Sequence, residues 1–346
     1  MRGLSEQQLT DIDVLRSQSV SLQPLEPSIL EKEVMVKDVV LEVAKVGGDQ
    51  GFQLIFSGGT SLSQGWGIIE RISEDVDFRV IAPSFPSKNS KSKALSRLKA
   101  ELGRALREAG FEINGEIIGR DSNRYIRAAV VYESAFTTDA PSLRPYIKVE
   151  LMEVDRPFNI EHREVRDILE RHRVGQQLQS QPVPMVSLPN IISDKVISYL
   201  RRTAEHKANP ELSYRYDPRL VRHLYDVHSI ASTDSSVVAK AAPIFVDTLA
   251  QEARQYGGER FPVFRERPLS VLRNELNLLK TDPEAVNNYA VFVNDLVYGA
   301  RPSFSDVSKT FHAVATEFLD TAVSLLPSER PWEVDGSVGH DISPHL

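Results

Sequence analysis

The chain contains no cysteine among its 346 residues. This absence excludes a disulfide framework, a thiolate metal site and a cysteine nucleophile. No stretch approaches the roughly 20 consecutive apolar residues that a membrane-spanning helix needs, and residues 1–18 lack the apolar run of a secretory signal. We therefore expect a soluble cytoplasmic protein with no membrane partner.

Length and composition indicate more than one folded domain. With 346 residues, 41% of them hydrophobic, the chain can bury a sizeable core, and this length is typical of about two domains. The formal net charge of −7 excludes a generally basic surface. A polyanion would therefore have to bind at a local basic patch, which composition alone leaves open.

The order of apolar patterns predicts an α+β fold, with strands in the first part of the chain and helices alone in the second. Helical or alternating spacing predicts, in chain order, a helix over 28–47, a strand over 52–56, a helix over 62–72, a strand over 76–81, a helix over 93–110, and strands over 124–132 and 145–152. Beyond Pro184 the predicted helices are 191–202, 219–230, 243–256, 283–296 and 305–325. We therefore expect domains at 1–185 and 186–330, followed by a loose tail at 331–346.

Two aspartates at the start of one predicted strand suit a metal site. Asp75 and Asp77 are two positions apart, so both carboxylates project from the same face of the strand. Mg²⁺ prefers oxygen ligands of this kind and is often shared with substrate phosphates. A pair of such ions can stabilise the attacking and leaving oxygens of an in-line displacement. A lone pair of this kind, however, is usually a solvated strand end.

A glycine turn, Ser57-Gly58-Gly59-Thr60-Ser61, ends the preceding strand. Glycine lets the backbone approach a ligand closely, and the N–H groups at the start of a following helix attract anions. The hydroxyls can contact phosphate or simply cap the helix. A lone glycine pair is usually only a turn. The order of strand, glycine turn, helix and Asp-x-Asp strand nevertheless predicts a triphosphate held between the turn and a metal-bearing strand.

Glu150 is the candidate for a third carboxylate. The apolar residues of the 145–152 strand share one face, and Lys148 and Glu150 share the other. If this strand lies beside the Asp75 strand, Glu150 is the third metal ligand. If it does not, Glu150 is an exposed strand glutamate.

Taken together, these residues resemble the AbiEii/AbiGii toxin family of nucleotidyltransferases, which belongs to the polymerase β-like superfamily. The resemblance lies in the segments EKE at 31–33, GGTSLS at 58–63 and SEDVD at 73–77. A second block resembles the family's lysine-bearing and arginine-rich helices, with LPNIISDK at 188–195 and RLVRHLYDV at 219–227. The similarity covers most of residues 28–230, in the same order and spacing.

The resemblance implies a fold, an activity and a biological role. The fold would be a polymerase β-like nucleotidyltransferase domain, a mixed sheet flanked by helices, followed by an all-helical C-terminal domain. The activity would be nucleotidyl transfer from a nucleoside triphosphate, with Mg²⁺, or alternatively Mn²⁺, as the cofactor. The role would be that of a toxin in a bacterial abortive-infection or toxin–antitoxin system, with a cognate antitoxin encoded next to it.

The resemblance also implies roles for particular residues. Lys195 would contact phosphate or help to activate the acceptor, and Asp226 would be the essential carboxylate of the last motif. Without the family, Lys195 would be interpreted as a solvated lysine and Asp226 as half of an ion pair. The expected catalytic set is Asp75, Asp77, Glu150, Lys195 and Asp226. The expected nucleotide-binding set is Ser57, Gly58, Gly59, Thr60, Ser61 and Lys195, and the expected metal ligands are Asp75, Asp77 and Glu150.

The glycine turn departs from the family pattern at two positions. Many relatives read KGGTSLSK, whereas Ser57 and Gln64 occupy the two lysine positions here. Two potential phosphate-facing cations are therefore missing. This departure bears on nucleotide affinity and preference more than on the reaction, because metal ions and Lys195 could still neutralise phosphate charge.

The tRNA 3′ end is the first choice of acceptor, because members of the family are linked to tRNA modification. Two basic stretches could follow an RNA backbone, although charge runs are more often solvated faces: Lys88, Lys91, Lys93, Arg97, Lys99, Arg104 and Arg107, and Arg201, Arg202, Lys207, Arg215, Arg219 and Arg222. The rival hypotheses are nucleotidylylation of a protein or small molecule, and a catalytically inactive nucleotide-binding interaction module.

Overall fold

A computed structural model of the chain describes residues 1–19, 22, 25–137, 144–155, 158–172, 181–211, 216–258 and 260–326. The chain divides into two compact units: the first comprises Met1–Val186 and Val297–Ala300, the second Ser187–Leu296 and Arg301–Leu346. The predicted tail at 331–346 lies outside the described residues. No helix in the described ranges is both long and apolar enough to cross a membrane.

The first unit is built on one mixed sheet. Its described strands are β1 Gln53–Ser57, β2 Asp75–Ile81, β3 Glu112–Ile113, β4 Ile118–Arg120, β5 Tyr125–Val131, β6 Ile147–Glu153, β7 Ile160–Arg163 and β8 Val183–Val186. They lie in the order β3-β5-β6-β2-β1-β8-β7, with β4 paired to β5. The pairs β2–β6 and β1–β8 are parallel, and the other pairs are antiparallel.

The first unit also contains the helices α1 Glu6–Gln18, α2 Pro27–Val43, α3 Lys88–Glu108 and α4 Ile168–His172. Along β2 and β6, apolar residues alternate with partly exposed polar ones, so one face of the two central strands is buried and the other carries their polar side chains. Helix α2 packs against β2 and against α3, and α3 also packs against β3; the buried apolar residues of the two helices include Val36, Val40 and Leu98.

In the described residues of the second unit, the regular secondary structure is entirely helical. Its helices are α5 Leu188–Ala208, α6 Arg222–Thr233, α7 Ser236–Tyr256, α8 Pro262–Glu266, α9 Pro268–Leu279, α10 Pro283–Leu296 and α11 Phe304–Leu325. Tyr199 packs edge-on against Phe311, and Phe245 packs against Phe318, so α5, α7 and α11 share an aromatic core. The predicted α+β architecture, a mixed sheet flanked by helices and followed by C-terminal helices, is confirmed.

Several predicted boundaries are wrong. The predicted helix over 62–72 is one helical turn that ends at Gly65, followed by irregular backbone in which Arg71 pairs with Val297. Gly67 adopts φ +66°, in the left-handed region, and this conformation stops the helix. The α7 helix begins at Ser236 rather than at Pro243, because the proline lies inside the helix. Helices α1, α4, α8 and α9 and strands β3, β4, β7 and β8 were not predicted.

Candidate active site

The glycine turn lies directly against Asp77. Gly58 follows β1 with φ +80°, and a Cβ atom at this position would lie 2.5 Å from Asp77 Oδ2. Glycine is therefore required for two reasons, the left-handed backbone and the lack of space. Because β1 and β2 are antiparallel, with Ser57 opposite Asp77, the turn and the aspartates meet at the same end of the sheet.

The hydroxyl groups of the turn are directed at the protein backbone. Ser57 Oγ donates to the Asp77 carbonyl at 3.2 Å, Thr60 Oγ1 to the Asp75 carbonyl at 2.5 Å, and Ser61 Oγ to the Gly58 carbonyl at 2.8 Å. All three residues are buried. These bonds fix the turn to the start of β2. The expected contact of these residues with a nucleotide stays a prediction.

The three carboxylates share one face of the sheet. The parallel pairing of β2 with β6 places Asp77 opposite Glu150 and Asp75 opposite Lys148. All four residues occupy the partly exposed positions of their strands. The condition set for Glu150, that its strand lies beside the Asp75 strand, is therefore met.

Two of the three carboxylates are paired with cations. Arg144 Nη1 is hydrogen-bonded to Asp75 Oδ1, and Lys148 Nζ lies 3.3 Å from Asp75 Oδ2 and 2.9 Å from Glu150 Oε2. Burial lowers the pKa of Lys148, but Asp75, Glu150 and Asp77 outweigh burial and raise it above its ordinary value. Glu150 also accepts a hydrogen bond from the phenol of buried Tyr125.

Asp77 differs from its neighbours. Within the described residues, its carboxylate has no hydrogen bond or ion pair. Burial, followed by the charges of Glu150 and Asp75, raises its pKa to about 7. A carboxylate in this position carries negative charge that no side chain offsets by direct contact, and perturbed carboxylates of this kind are typical of functional sites.

The fit of these carboxylates to a metal ion is incomplete as the side chains lie. In the part of the chain that the structure describes, no group of three His, Cys, Asp or Glu side chains is arranged to hold a metal ion together. Arg144 and Lys148 pair with oxygens of Asp75, and Lys148 also pairs with Glu150, so cations already occupy part of the site. The donor chemistry is nevertheless suitable: Asp75 and Asp77 supply oxygen ligands on one face, and Asp77 is uncompensated.

Helix α2 contributes three consecutive buried charged residues next to the site. Glu31 accepts from the Ser134 hydroxyl and the Ala135 N–H, in the segment after β5. Lys32 pairs with Glu74, which directly precedes β2. Glu33 accepts from the side-chain amide of Gln64, in the helical turn after the glycines.

Lys195 and Asp226 lie together in the second unit. Lys195 Nζ is 2.5 Å from Asp226 Oδ2, and both side chains are buried, with 8% and 0% exposure. His223 donates from Nδ1 to the Lys195 carbonyl at 3.2 Å. Burial, then the positive charges of Lys195 and Arg222, lower the pKa of His223 well below its ordinary value, so its imidazole is neutral. The structure thus pairs the two residues that the resemblance singled out, and their catalytic roles stay predictions.

The basic stretches are partly neutralised by ion pairs. In the first stretch, Lys91 pairs with Glu153, and Arg104 pairs with Glu108. In the second stretch, the pairs are Arg201 with Glu205 and Glu252, Lys207 with Glu275 and Asp282, and Arg222 with Asp217. Arg215 lies outside the described residues. The charge available to an RNA backbone is therefore smaller than the sequence indicates.

The residues that surround the carboxylates were not predicted from the sequence. Arg144, Tyr125 and Lys32 reach the site from segments far away in the chain, and no local pattern marks them. One signal was available: residues 31–33 place three adjacent charges between the apolar residues 29–30 and 34–36. Three consecutive residues span most of a helical turn, so at least one of these charges must face the protein interior.

Comparison with known proteins identifies the family. A family model described as the nucleotidyl transferase AbiEii toxin of a type IV toxin–antitoxin system matches residues 46–316. Among solved structures, MenT4, a nucleotidyltransferase toxin from Mycobacterium tuberculosis H37Rv, is similar over 95% of this chain and 92% of its own, with a TM-score of 0.51 and 16% sequence identity. At that identity, the likeness shows the fold alone. No curated protein matches the sequence.

The match over residues 46–316 identifies the class of protein as a nucleotidyl transferase. The chain belongs to the AbiEii family of nucleotidyl transferase toxins, which are components of type IV toxin–antitoxin systems. The predicted family is therefore confirmed. Membership of a toxin–antitoxin system implies an antitoxin partner.

Proposed function

We propose that this toxin is a metal-dependent enzyme that transfers a nucleotidyl group from a nucleoside triphosphate to the 3′ end of tRNA. The observation that carries the metal-dependent part is the carboxylate of Asp77. It lies opposite Glu150 on one sheet face beside Asp75, has no hydrogen-bond or ion-pair partner in the described ranges, and has a pKa raised to about 7. A divalent cation would neutralise this excess charge.

Asp75 and Asp77 would hold the metal, with Glu150 as a third ligand. When bound, Mg²⁺ or Mn²⁺ supplies Lewis-acid stabilisation of the oxygens around the reacting phosphorus. The strand register sets both aspartates on one face, and the bonds from Ser57 and Thr60 to the β2 carbonyls keep that strand end in place. The protein's contribution is therefore a rigid arrangement of oxygen ligands.

The reaction itself is an in-line displacement at the α-phosphorus. The acceptor hydroxyl gives up its proton to a carboxylate of the site, and its oxygen bonds to the phosphorus. The bond from phosphorus to the bridging oxygen breaks, and pyrophosphate leaves. Gly58 and Gly59 let the triphosphate approach the backbone beside Asp77, because neither carries a Cβ atom. In the second unit, Lys195 and Asp226 form a buried ion pair, and the family resemblance is the ground for proposing that both are needed for transfer.

The choice of tRNA rests on the family resemblance and on the two basic stretches. In the first stretch, Lys88, Lys93 and Lys99 have no ion pair with another described residue, and they lie on α3. Cations of this kind bind a phosphate backbone without reading its sequence. Binding should therefore weaken steeply as the salt concentration rises.

The experiment is nucleotide transfer with defined substrates. The purified chain is incubated with each of the four α-phosphate-labelled triphosphates, Mg²⁺ and a total tRNA pool. We expect label on tRNA 3′ ends, and we expect Asp75→Ala and Asp77→Ala to reduce it by about a hundredfold or more, since both remove a direct ligand. Arg273→Ala is the matched control, because that arginine pairs with Asp320 in the second unit.

Other outcomes separate the rival functions. Label on protein or on a small molecule, with tRNA untouched, would refute tRNA as the acceptor and leave nucleotidyl transfer in place. If both aspartate variants retain full transfer and full growth inhibition, the carboxylate site is not catalytic. Transfer that is unaffected by EDTA would refute metal dependence.

A further inference from the structure

Arg144 is placed on the metal-binding face by a residue pair that lies outside the catalytic set. It precedes β6, its guanidinium is hydrogen-bonded to Asp75, and its side chain is 26% exposed. Lys32 Nζ donates to the Arg144 carbonyl at 2.5 Å, and the Arg144 N–H donates to Glu74 Oε2 at 3.2 Å. Lys32 also pairs with Glu74. The Lys32 ammonium, the Glu74 carboxylate and the backbone of Arg144 therefore form a closed ring of contacts.

This ring, which we call the Lys32–Glu74 clamp, fixes the backbone of Arg144 and leaves its guanidinium accessible. The Lys32 side chain is 4% exposed and that of Glu74 is 13% exposed, so the clamp is largely shielded from water. A buried ion pair is a weak source of stability, because the loss of hydration offsets much of the attraction. The benefit of such a pair beside an active site is the fixed geometry that it gives the Arg144 backbone.

Arg144 and Lys148 differ in how many carboxylates they contact. Lys148 bridges Asp75 and Glu150, at 3.3 and 2.9 Å, and is therefore held from two sides. Arg144 has one carboxylate partner in the described part of the chain, Asp75. A guanidinium carries five N–H donors in a planar fork, so most of the donors of Arg144 remain available to an anion.

We propose that Arg144 binds the phosphates of the nucleoside triphosphate. Its guanidinium now pairs with Asp75; with a divalent cation held by that carboxylate, the guanidinium would be available to the triphosphate. The proposal rests on the proposed function and names a residue for its substrate.

The test uses three variants of the full chain and two probes. Arg144→Gln removes the charge, and Arg144→Lys keeps it without the fork. Arg124→Gln is the control, because Arg124 is a partly exposed arginine that pairs with Glu153 and Asp155 at the opposite end of β6. Inorganic triphosphate with Mg²⁺ and Mg²⁺ alone are each titrated by calorimetry, and circular dichroism checks the fold.

Arg144→Gln should weaken triphosphate binding by about ten- to a hundredfold, the usual effect of losing hydrogen bonds between charged groups. Mg²⁺ alone should bind it as tightly as the parent chain or more tightly, because a competing cation has been removed. Arg144→Lys should recover part of the triphosphate affinity, since an ammonium retains the charge. Arg124→Gln should match the parent chain with both probes.

Two results would overturn the proposal. Unchanged triphosphate affinity in Arg144→Gln would show that the guanidinium never reaches the phosphates. A parallel loss of Mg²⁺ binding would show that Arg144 merely supports Asp75. The proposed function fails separately: if the parent chain transfers no nucleotide to any acceptor, the reaction is wrong, while the triphosphate titration still decides the role of Arg144.

Discussion

Helix α2 carries two lysines, one buried and one largely shielded, that allow the support of the site to be separated from the stability of the fold. Lys32 pairs with Glu74 beside the carboxylates, and Lys37 pairs with Asp167 and Glu170, at 3.2 Å from Asp167 and in direct contact with Glu170. Their side chains are similarly shielded, at 4% and 12% exposure. Replacing each lysine with methionine removes the charge and retains most of the volume.

The two lysines differ in how well their surroundings stabilise the charge. Burial lowers the pKa of Lys32 below its ordinary value despite Glu74, so its charge is held at a net cost. Burial also lowers the pKa of Lys37, but Asp167 and Glu170 outweigh burial and raise it. Removing the well-stabilised charge of Lys37 should cost about 3–5 kcal/mol, the usual penalty for breaking a buried pair, whereas removing the charge of Lys32 should cost less.

We therefore expect opposite ranks in two measurements. Lys37→Met should lower the melting temperature by roughly 6–15 °C, and Lys32→Met by at most about 5 °C. Transfer activity should follow the reverse order. Lys32→Met should lose about ten- to a hundredfold, because Asp75 and Arg144 lose their support and a misplacement of about 1 Å has an effect of this size. Lys37→Met should keep its activity well below its melting temperature.

The assays are thermal unfolding and nucleotide transfer at one temperature far below both transitions. Lys32→Arg serves as the conservative variant and should recover part of the lost activity. If both methionine variants lose activity in proportion to their loss of stability, the clamp has no specific role at the site. Equal melting temperatures would refute the electrostatic argument, even if the activities differ.

Three further predictions concern other parts of the site. Gly58→Ala should destabilise the chain by about 1–3 kcal/mol, because φ is +80° and the new methyl would meet Asp77 Oδ2 at 2.5 Å. The control, Gly48→Ala, should cost little, because no atom lies within 4 Å of the new methyl. Equal denaturant midpoints for the two variants would contradict this. The folded chain holds the proton on Asp77 more tightly than the unfolded chain, since the pKa rises from 3.8 to about 7. In EDTA, stability should therefore fall as the pH rises between these values, and Mg²⁺ should raise the melting temperature more at pH 8 than at pH 5.5. An equal rise at both pH values would refute this linkage. Asp226→Asn should cost about 3 kcal/mol, because it removes the carboxylate that pairs with buried Lys195. Adding Lys195→Met should restore part of the lost stability, measured by urea unfolding, without restoring transfer. A double variant no more stable than Asp226→Asn would contradict this account.

The parts of the site that the sequence could predict are those set by strand periodicity. Asp75 and Asp77 share a face because side chains alternate along a strand, and Glu150 joins them because its own alternation gives it the same orientation. The glycine turn was found for a similar reason, since its position between a strand and an Asp-x-Asp motif depends only on local order.

The remaining parts depend on contacts between distant segments. Lys32 and the Arg144 carbonyl are 112 positions apart, and no local pattern links them. The predicted helix over 62–72 failed for a related reason: its apolar spacing suits a helix, but Arg71 pairs with Val297 instead. Pro243 marked the wrong start for α7 because a proline usually opens a helix, whereas here seven residues of the helix precede it.

The three buried charges on α2 also bear on how the first unit unfolds. Glu31, Lys32 and Glu33 each contact a different segment of the site, so undocking this helix would leave three charged groups without partners at once. Local opening of a single segment is correspondingly restricted. The start of α2 and the three segments should therefore exchange their amide hydrogens as one cooperative unit. In this toxin, the catalytic face would be either fully assembled or absent.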